Sequence, residues 1–371
     1  MCPTMPPKPQ LHLSDTPTPP APLLPLLHAH LPYSLPVLRR LQFAQHFPGG
    51  RSPHIHVLFA YHRNDDGGGD DDDDEGINHF TAACVDLSRA PETQCWIYST
   101  LEDGRSGVEG REGEIGGGVN GAGNGGGEKE EEGVEEVKGM ELVMAVMRRI
   151  RRIALAGLTE EGGDGEGSRA REEGAVLVGS LHETIRQGML RRGVRMDAPD
   201  NVDPEVGWEF CGKWLFRVED LPLVEQVDGD GGKAVVRLPN GMCWDRARRE
   251  DIPLVLSRTA IARQEKTLLM LPSVVVRLGN GAPVAWAFMG LDGTIISLHV
   301  EEPYRRLGLA KAVACKLMRE HLNEYGDDGW GAADVFILNH KSQGFCKSIG
   351  GKNSWMHSWA VIHLSSVGDP F

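Results

Sequence analysis

The sequence predicts an α/β (α+β) chain built as two domains. Three observations lead there. The 371 residues exceed what one hydrophobic core usually organises. The C-terminal third alternates helix-period and strand-period runs in the order α-β-β-β-α-β-α-β. The first half, read independently, repeats that order.

In the C-terminal third an apolar-periodic run from Ile252 to Leu271 stops before Pro272 and reads as a helix. Three β-rich runs come next, Val274 to Leu278, Val284 to Met289 and Thr294 to Val300, joined by Gly279-Asn280-Gly281 and Leu291-Asp292-Gly293. Short turns of Gly, Asn and Asp between such runs make an antiparallel meander. Ala310, Val313, Ala314, Leu317 and Met318 then recur at helical spacing. A strand from Val335 to Leu338, a helix from His340 to Ile349 ended by Gly350-Gly351, and a strand from Met356 to His363 complete the series.

The first half gives a helix from Ser34 to His46, with Leu35, Leu38 and Leu41 toward the core. Strands at His56 to Tyr61, Thr81 to Leu87 and Cys95 to Ser99 come next, then a helix from Met140 to Ala156. A strand at Ala175 to Gly179, a helix from His182 to Arg192 and a strand at Trp208 to Phe216 close it. Matching order points to an internal duplication. The expected division is a disordered proline-rich lead-in at 1–22, a first domain at 23–225 carrying low-complexity insertions at 64–76, 102–139 and 160–173, a linker at 226–240, and a second domain at 241–371.

Composition excludes more than it selects. The chain is 40% hydrophobic, with no window near the roughly 18 apolar residues of a membrane-spanning helix. The net charge of -14 is concentrated in Asp70 to Glu75 and Glu128 to Glu136, glycine-flanked runs of solvated character. Seven cysteines without CxxC pairs fit neither a disulfide framework nor a zinc site. No signal or transit pattern opens the chain, and the cytoplasm is the expected compartment. His54 and His56 share a strand face but lack further ligands, so no metal is expected. Arg148-Arg149-Ile150-Arg151-Arg152 lies on an amphipathic helix and reads as a solvated face, so neither a nucleic-acid nor a membrane partner is expected.

The chemistry is expected where Ser297 to Val300 runs through Glu301-Glu302-Pro303-Tyr304 into Arg305-Arg306-Leu307-Gly308-Leu309-Ala310. A helix start offers unpaired N–H groups and the positive end of the peptide dipole to an anion. Gly308 and Ala310 permit close backbone approach, and Arg305, Arg306 and Lys311 add cationic charge.

With Pro283-Val284-Ala285-Trp286 before this turn, and Asn339-His340-Lys341-Ser342-Gln343 and Ile349-Gly350 after it, the last third resembles the GNAT superfamily of N-acyltransferases, and within it the glycine N-acyltransferase-like branch. That resemblance implies a GNAT fold with a mixed, splayed central sheet, preceded by a degenerate GNAT-like domain. It implies acetyl-CoA or another acyl-CoA as cosubstrate, no metal, and a small-molecule or peptide amine as acceptor. Coenzyme A would lie where the third meander strand parts from the Val335 to Leu338 strand. Its pantetheine would pair with Leu298, His299 and Val300. Its pyrophosphate would sit on Arg305, Arg306, Leu307, Gly308, Leu309 and Ala310, and Asn339 and Ser342 would line the far side near the thioester.

Two positions depart from the family pattern. The tyrosine that protonates the leaving thiolate is replaced by Cys346, whose bland reading is a buried structural thiol. The base glutamate of glycine-conjugating members is replaced by Thr294. Candidate catalytic residues are therefore His299, Cys346 and Asn339, with Glu301 and Glu302 as further candidate bases. The rival reading is a non-catalytic coenzyme A-binding or interaction protein with the same fold.

Overall fold

Each strand that pairs on both edges needs an apolar face, and that requirement sorts the chain into its layers. The computed structural model describes residues 10–63, 77–104, 126–160, 174–199, 210–224, 235–236, 238–259, 261 and 263–368. The insertion expected at 64–76 lies outside the described residues, as do 105–125 and 161–173 of the other two. Two compact units emerge: Met1–Val37, Pro53–Asp197 and Trp359–Phe371 form one, and Leu38–Ser52 with Ala198–Ser358 form the other.

In unit 1, β1 (Gln10–Thr16), α1 (Leu23–Ala29) and the start of α2 (Leu35–His46) precede β2 (His56–Arg63), β3 (Phe80–Val85) and β4 (Cys95–Ser99). Then come α3 (Gly126–Glu160), β5 (Ala175–His182), α4 (Glu183–Arg191) and β6 (Met196–Asp197). Strands β1 to β4 pair antiparallel in sequence order. β5 joins β4 in parallel, a connection that requires the crossover helix α3. Val361 and Ile362, near the end of the chain, pair with β6.

Two expectations are corrected here. Residues 10–16 of the expected disordered lead-in form β1, whose Asp15 is tied to His56 Nδ1 at 2.8 Å and to Arg149 at 2.6 Å. The prolines that dominate the opening flank this strand but do not interrupt it, so its ladder keeps every donor. Within the expected insertion at 102–139, α3 begins at Gly126, because its Glu- and Lys-rich low-complexity run is also made of strong helix formers.

Unit 2 holds β7 (Phe210–Arg217), the short parallel pair β8 (Leu223–Val224) and β9 (Val235–Val236), β10 (Met242–Asp245), α5 (Ile252–Ser257) and α6 (Glu265–Met270). It continues with β11 (Ser273–Leu278), β12 (Pro283–Met289), β13 (Thr294–Val300), α7 (Leu309–His321), β14 (Trp330–Phe336), α8 (His340–Ser348) and β15 (Lys352–His363), the last in this unit as far as Ser358. Its strand order is β15-β7-β14-β13-β12-β11-β10. Only β13 and β14 pair in parallel within that order.

The meander stands where the sequence puts it, while three neighbours differ. The expected helix from Ile252 to Leu271 breaks into α5 and α6. There the Ser257 hydroxyl donates to Leu254 O and Thr259 Oγ1 accepts from the Ile261 amide, local bonds that compete with helix continuation. The strand expected at Val335 to Leu338 is β14, Trp330–Phe336, and Leu338 is exposed beyond it. β7 falls inside unit 2, between β14 and β15, although chain order grouped it with the first domain. The first residues of unit 2, from Leu38, are locked by buried Arg39, which reaches Asp328 at 2.5 Å and Trp330 O at 2.9 Å.

Arg277 braces the start of the meander. Its guanidinium meets Asp251 at 2.5 and 2.9 Å and Asp245 at 2.5 Å, with Arg277 and Asp251 buried. Burial alone would raise both carboxyls, but hydrogen bonds from Arg277 override it and hold them below the ordinary carboxylate range. Their contribution to stability is thus complete above about pH 4 and drains as the pH falls through the depressed values. Arg277→Met, which strands buried Asp251, should cost about 3–5 kcal/mol in urea unfolding at neutral pH. The variant should also show a shallower acid dependence of stability than the parent.

Candidate functional site

The site is built by an interruption of pairing. β13 and β14 share only two register pairs, Thr294 with Ala332 and Ile295 with Ala333. Beyond them the strands part. On its other edge β13 carries a bulge against β12: Trp286 faces His299 and Phe288 faces Ile296, so three residue steps on β13 oppose two on β12. Ser297, inside the bulge, has φ 52°, a left-handed conformation that a Cβ-bearing residue adopts only at a cost. A bulge bends its strand and re-aims the residues beyond it. Residues 295–300 are half-buried as a result.

The chain then passes through an exposed turn. Arg306 and Gly308 both have positive φ, 66° and 80°, and Gly308 is the N-cap of α7 with no side chain capping it. A Cβ at Gly308 would meet nothing within 4 Å. Among the described residues, the backbone amides from Arg306 to Lys311 have no hydrogen-bond acceptor. Alternating left-handed residues that expose successive amides at a helix start form an anion-binding concavity. Arg305 Nε donates to Val300 O at 3.1 Å, and Lys311 Nζ donates to Ser348 O at 3.4 Å. These bonds position both cations without neutralising them.

The other expected site residues fall around this cleft in different roles. Leu298, His299 and Val300 lie on β13 beyond its last pair with β14. The His299 ring stacks on Trp286 at 4.9 Å, and its Nε2 lies 3.7 Å from Glu301 Oε1. Burial holds its pKa below the ordinary imidazole value against the opposing pull of Glu301. Glu301 is engaged by Arg258 at 2.9 Å, whereas Glu302 is exposed. Asn339 is the N-cap of α8, its Oδ1 accepting from the Ser342 amide at 3.0 Å. Thr294 is buried, its hydroxyl donating to Asp292 Oδ1 at 2.6 Å. Cys346 is buried on α8, where burial and then Asp334 push the thiol up to about 12. Sequence reasoning missed a further group, Lys213, Asp334 and His357, because it is assembled from three strands whose adjacency no local pattern encodes.

Unit 1 repeats the geometry with a different ending. β4 and β5 share two parallel register pairs, Cys95 with Val178 and Trp96 with Gly179. β4, however, pairs with β3 without a register shift and is buried along its whole length. Its end is closed by a capping box in which Glu102 accepts from the Ser99 amide at 3.0 Å and Ser99 Oγ accepts from the Leu101 amide. A resident carboxylate there holds a donor that unit 2 leaves open. Of the other signals, His56 is committed to Asp15, and Arg151 donates to Val367 O at 2.9 Å. Among the described residues no cluster of three or more His, Cys, Asp or Glu could hold a metal, and no helix is long and apolar enough to cross a membrane.

The two units each carry a GNAT-type order: a strand meander, a crossover helix, a parallel strand, a helix and a closing strand. Comparison with known proteins agrees. Residues 9–206 match the family described as the acyl-CoA N-acyltransferase verG N-terminal domain, more than half of the 371 residues. The chain belongs to that family. An X-ray structure of a Drosophila protein superposes with a TM-score of 0.53 at 14% identity, covering 92% of this chain and 94% of its own, a likeness of fold. Looser likenesses are to a tandem GNAT protein from the clavulanic acid biosynthesis pathway (TM-score 0.42, 8% identity, 98% of this chain and 100% of that one) and a GCN5-related N-acetyltransferase from Kribbella flavida (TM-score 0.33, 14% identity, 51% and 66%). No curated protein matches the chain.

The burial of Cys346 has a direct chemical consequence. At pH 8 iodoacetamide should modify exposed Cys243 and leave Cys346 unmodified until the chain is unfolded, as read by peptide mass spectrometry. Comparable labelling of the two thiols in the folded protein would contradict the placement of Cys346.

Proposed function

We propose that the chain is an acyl-CoA-dependent N-acyltransferase, with acetyl-CoA the first donor to test, and that unit 2 performs the transfer. The observation that carries this reading is the run of acceptor-free amides from Arg306 to Lys311 at the mouth of a cleft opened by only two β13–β14 pairs. The cleft is lined on one side by the strand backbone of Leu298 to Val300, which suits an amide-rich pantetheine arm. The turn, with Arg305, Arg306 and Lys311, suits a pyrophosphate.

Transfer needs no covalent enzyme intermediate. The amine nitrogen attacks the thioester carbon, the carbon–sulfur bond breaks, and the electron pair leaves with sulfur. Holding both reactants in line supplies much of the rate. Unit 1, with its capped and buried β4, serves in this reading as a degenerate copy. The glycine N-acyltransferase-like branch is the closest fit to the motifs of unit 2. Thr294, locked onto Asp292, lacks the base that glycine conjugation uses, so an amine other than glycine is the expected acceptor. A reducing compartment such as the cytoplasm suits the cysteines, none of which forms a disulfide among the described residues.

One specific observation favours the rival reading of a non-catalytic coenzyme A-binding protein: the thiol at the expected proton-donor position is buried and pushed up to about 12. Thiol release from acetyl-CoA with ethylamine, phenethylamine and glycine separates the two. Turnover with any of them supports the enzyme, and coenzyme A binding without release supports the rival. Gly308→Glu, which places a carboxylate on the open turn, should weaken coenzyme A binding by about a hundredfold, near 2.7 kcal/mol by calorimetry. Unchanged affinity would refute the placement.

A further inference from the structure

Behind the cleft lies a charged cluster in the core of unit 2. Asp334 is the first residue of β14 after its last pair with β13. Its Oδ1 lies 2.5 Å from Lys213 Nζ on β7 and 3.0 Å from His357 Nε2 on β15. Lys213 and His357 are fully buried, and the Asp334 side chain is 9% exposed. Register places the three side chains on one face of the sheet, since Asp334 pairs with Lys213 and Trp355 does too, two residues before His357. That face is the one away from α7: a Cβ on Gly331 would strike Met318 of α7, and Asp334 has the opposite parity.

A buried ion pair of this kind is costly to assemble and weak as a source of stability. Its position is what a two-substrate transfer requires. The donor's phosphates would be held at the start of α7, so an amine meeting the thioester in the cleft has the other face available. A protonated amine must also lose one proton before it can attack, and none of the residues lining the turn provides a buried base.

We propose that His357 accepts that proton, through one water molecule in the cleft, with Asp334 and Lys213 as positioning residues. This rests on the acyl-transfer reading above. Asp334 receives the Nε2 proton and so fixes the imidazole as the tautomer whose Nδ1 carries the lone pair. Lys213 keeps Asp334 ionised: burial would raise the carboxyl, but Lys213 and then His357 hold it far below its ordinary value. Burial keeps the His357 ring neutral against the pull of Asp334, with Lys213 acting in the same sense as burial and Asp292, at the β12–β13 turn, in the sense of Asp334. Cys346, on α8, also senses Asp334 and stays protonated. The proton on nitrogen after attack passes to the departing thiolate, and the one on His357 returns to solvent, so the ring ends as it began.

The test uses the full chain. His357→Gln should leave coenzyme A affinity within about twofold while lowering kcat with acetyl-CoA and phenethylamine by about a hundredfold at neutral pH, the usual worth of a positioned base. The deficit should shrink toward alkaline pH, where the amine arrives already deprotonated. The parent's kcat should fall on acidification only below the ordinary histidine range, a limb the variant lacks. Asp334→Asn should displace that limb. A loss equal at every pH, with the limb intact, means a structural role and overturns the proposal.

In parallel, the His357 ring nitrogens of the 15N-labelled parent, assigned by difference from the variant, should shift on saturation with acetyl-CoA. Their indifference to the bound thioester overturns the proposal as well, and does so even if no amine is turned over. Absence of turnover by itself counts against the acyl-transfer reading, while the ring signals decide the place of His357.

Discussion

The functional architecture of unit 2 depends on one termination: parallel pairing between β13 and β14 ends after Ile295 and Ala333. A parallel ladder normally persists for the length of its strands, because every peptide released leaves a donor and an acceptor without partners. Here the release is enforced from the opposite edge. The bulge at Ser297 adds a residue between Ile296 and His299, so β13 cannot follow β12 and β14 at once. The backbone conformation at one serine thus creates a cleft with unspent hydrogen-bonding capacity along its wall, directly before a helix start that is also unspent.

The comparison of the two units shows that splaying is not sufficient. Unit 1 stops its β4–β5 pairing equally early, yet β4 carries no bulge and remains buried throughout. At the end of β4 the Ser99 amide meets Glu102, a carboxylate supplied by the chain itself. A site whose donors are already answered by an internal anion gives an external phosphate little to gain, and the like charge adds repulsion. Fold and capacity are therefore separable in this molecule, and what separates them is the local satisfaction of a few amides.

Much of this was legible in the sequence. The meander, α7 and α8 arise from alternation, turn glycines and helical spacing, which are local signals. The doubled element order was visible for the same reason. The features that escaped are non-local or masked by composition. The prolines around β1 concealed a strand that contains none. Periodicity carried α5 and α6 across a break made by Ser257 and Thr259, because it counts apolar spacing and not side-chain competition for backbone bonds. The insertion of β7 between β14 and β15 is a statement about strand order, and the membership of Leu38 to Ser52 in unit 2 is one about packing partners. A pattern of buried faces records neither. The turn at Gly308 could be read because anion binding is written in contiguous residues, whereas Lys213 lies more than a hundred positions before Asp334 and His357 and becomes their neighbour only once β7 has taken its place.

That difference in legibility has a physical counterpart. Binding an anion calls for donors delivered by consecutive peptides, so the residues that shape them must be sequential. Managing a proton calls for a group insulated from solvent, which means drawing side chains from several strands into the core. In unit 2 the sheet separates the two tasks: the open amides face the α7 side of the cleft, and the buried ionised cluster occupies the other. Cys346 illustrates the boundary. Lying on the α8 helix, it senses Asp334 strongly enough for its thiol to be held protonated, so it can pack against the cluster without competing for its proton. A tyrosine at the same position would have to place its hydroxyl within a core that already contains an ionised carboxylate, an unfavourable neighbour for any group meant to exchange charge with a departing thiolate.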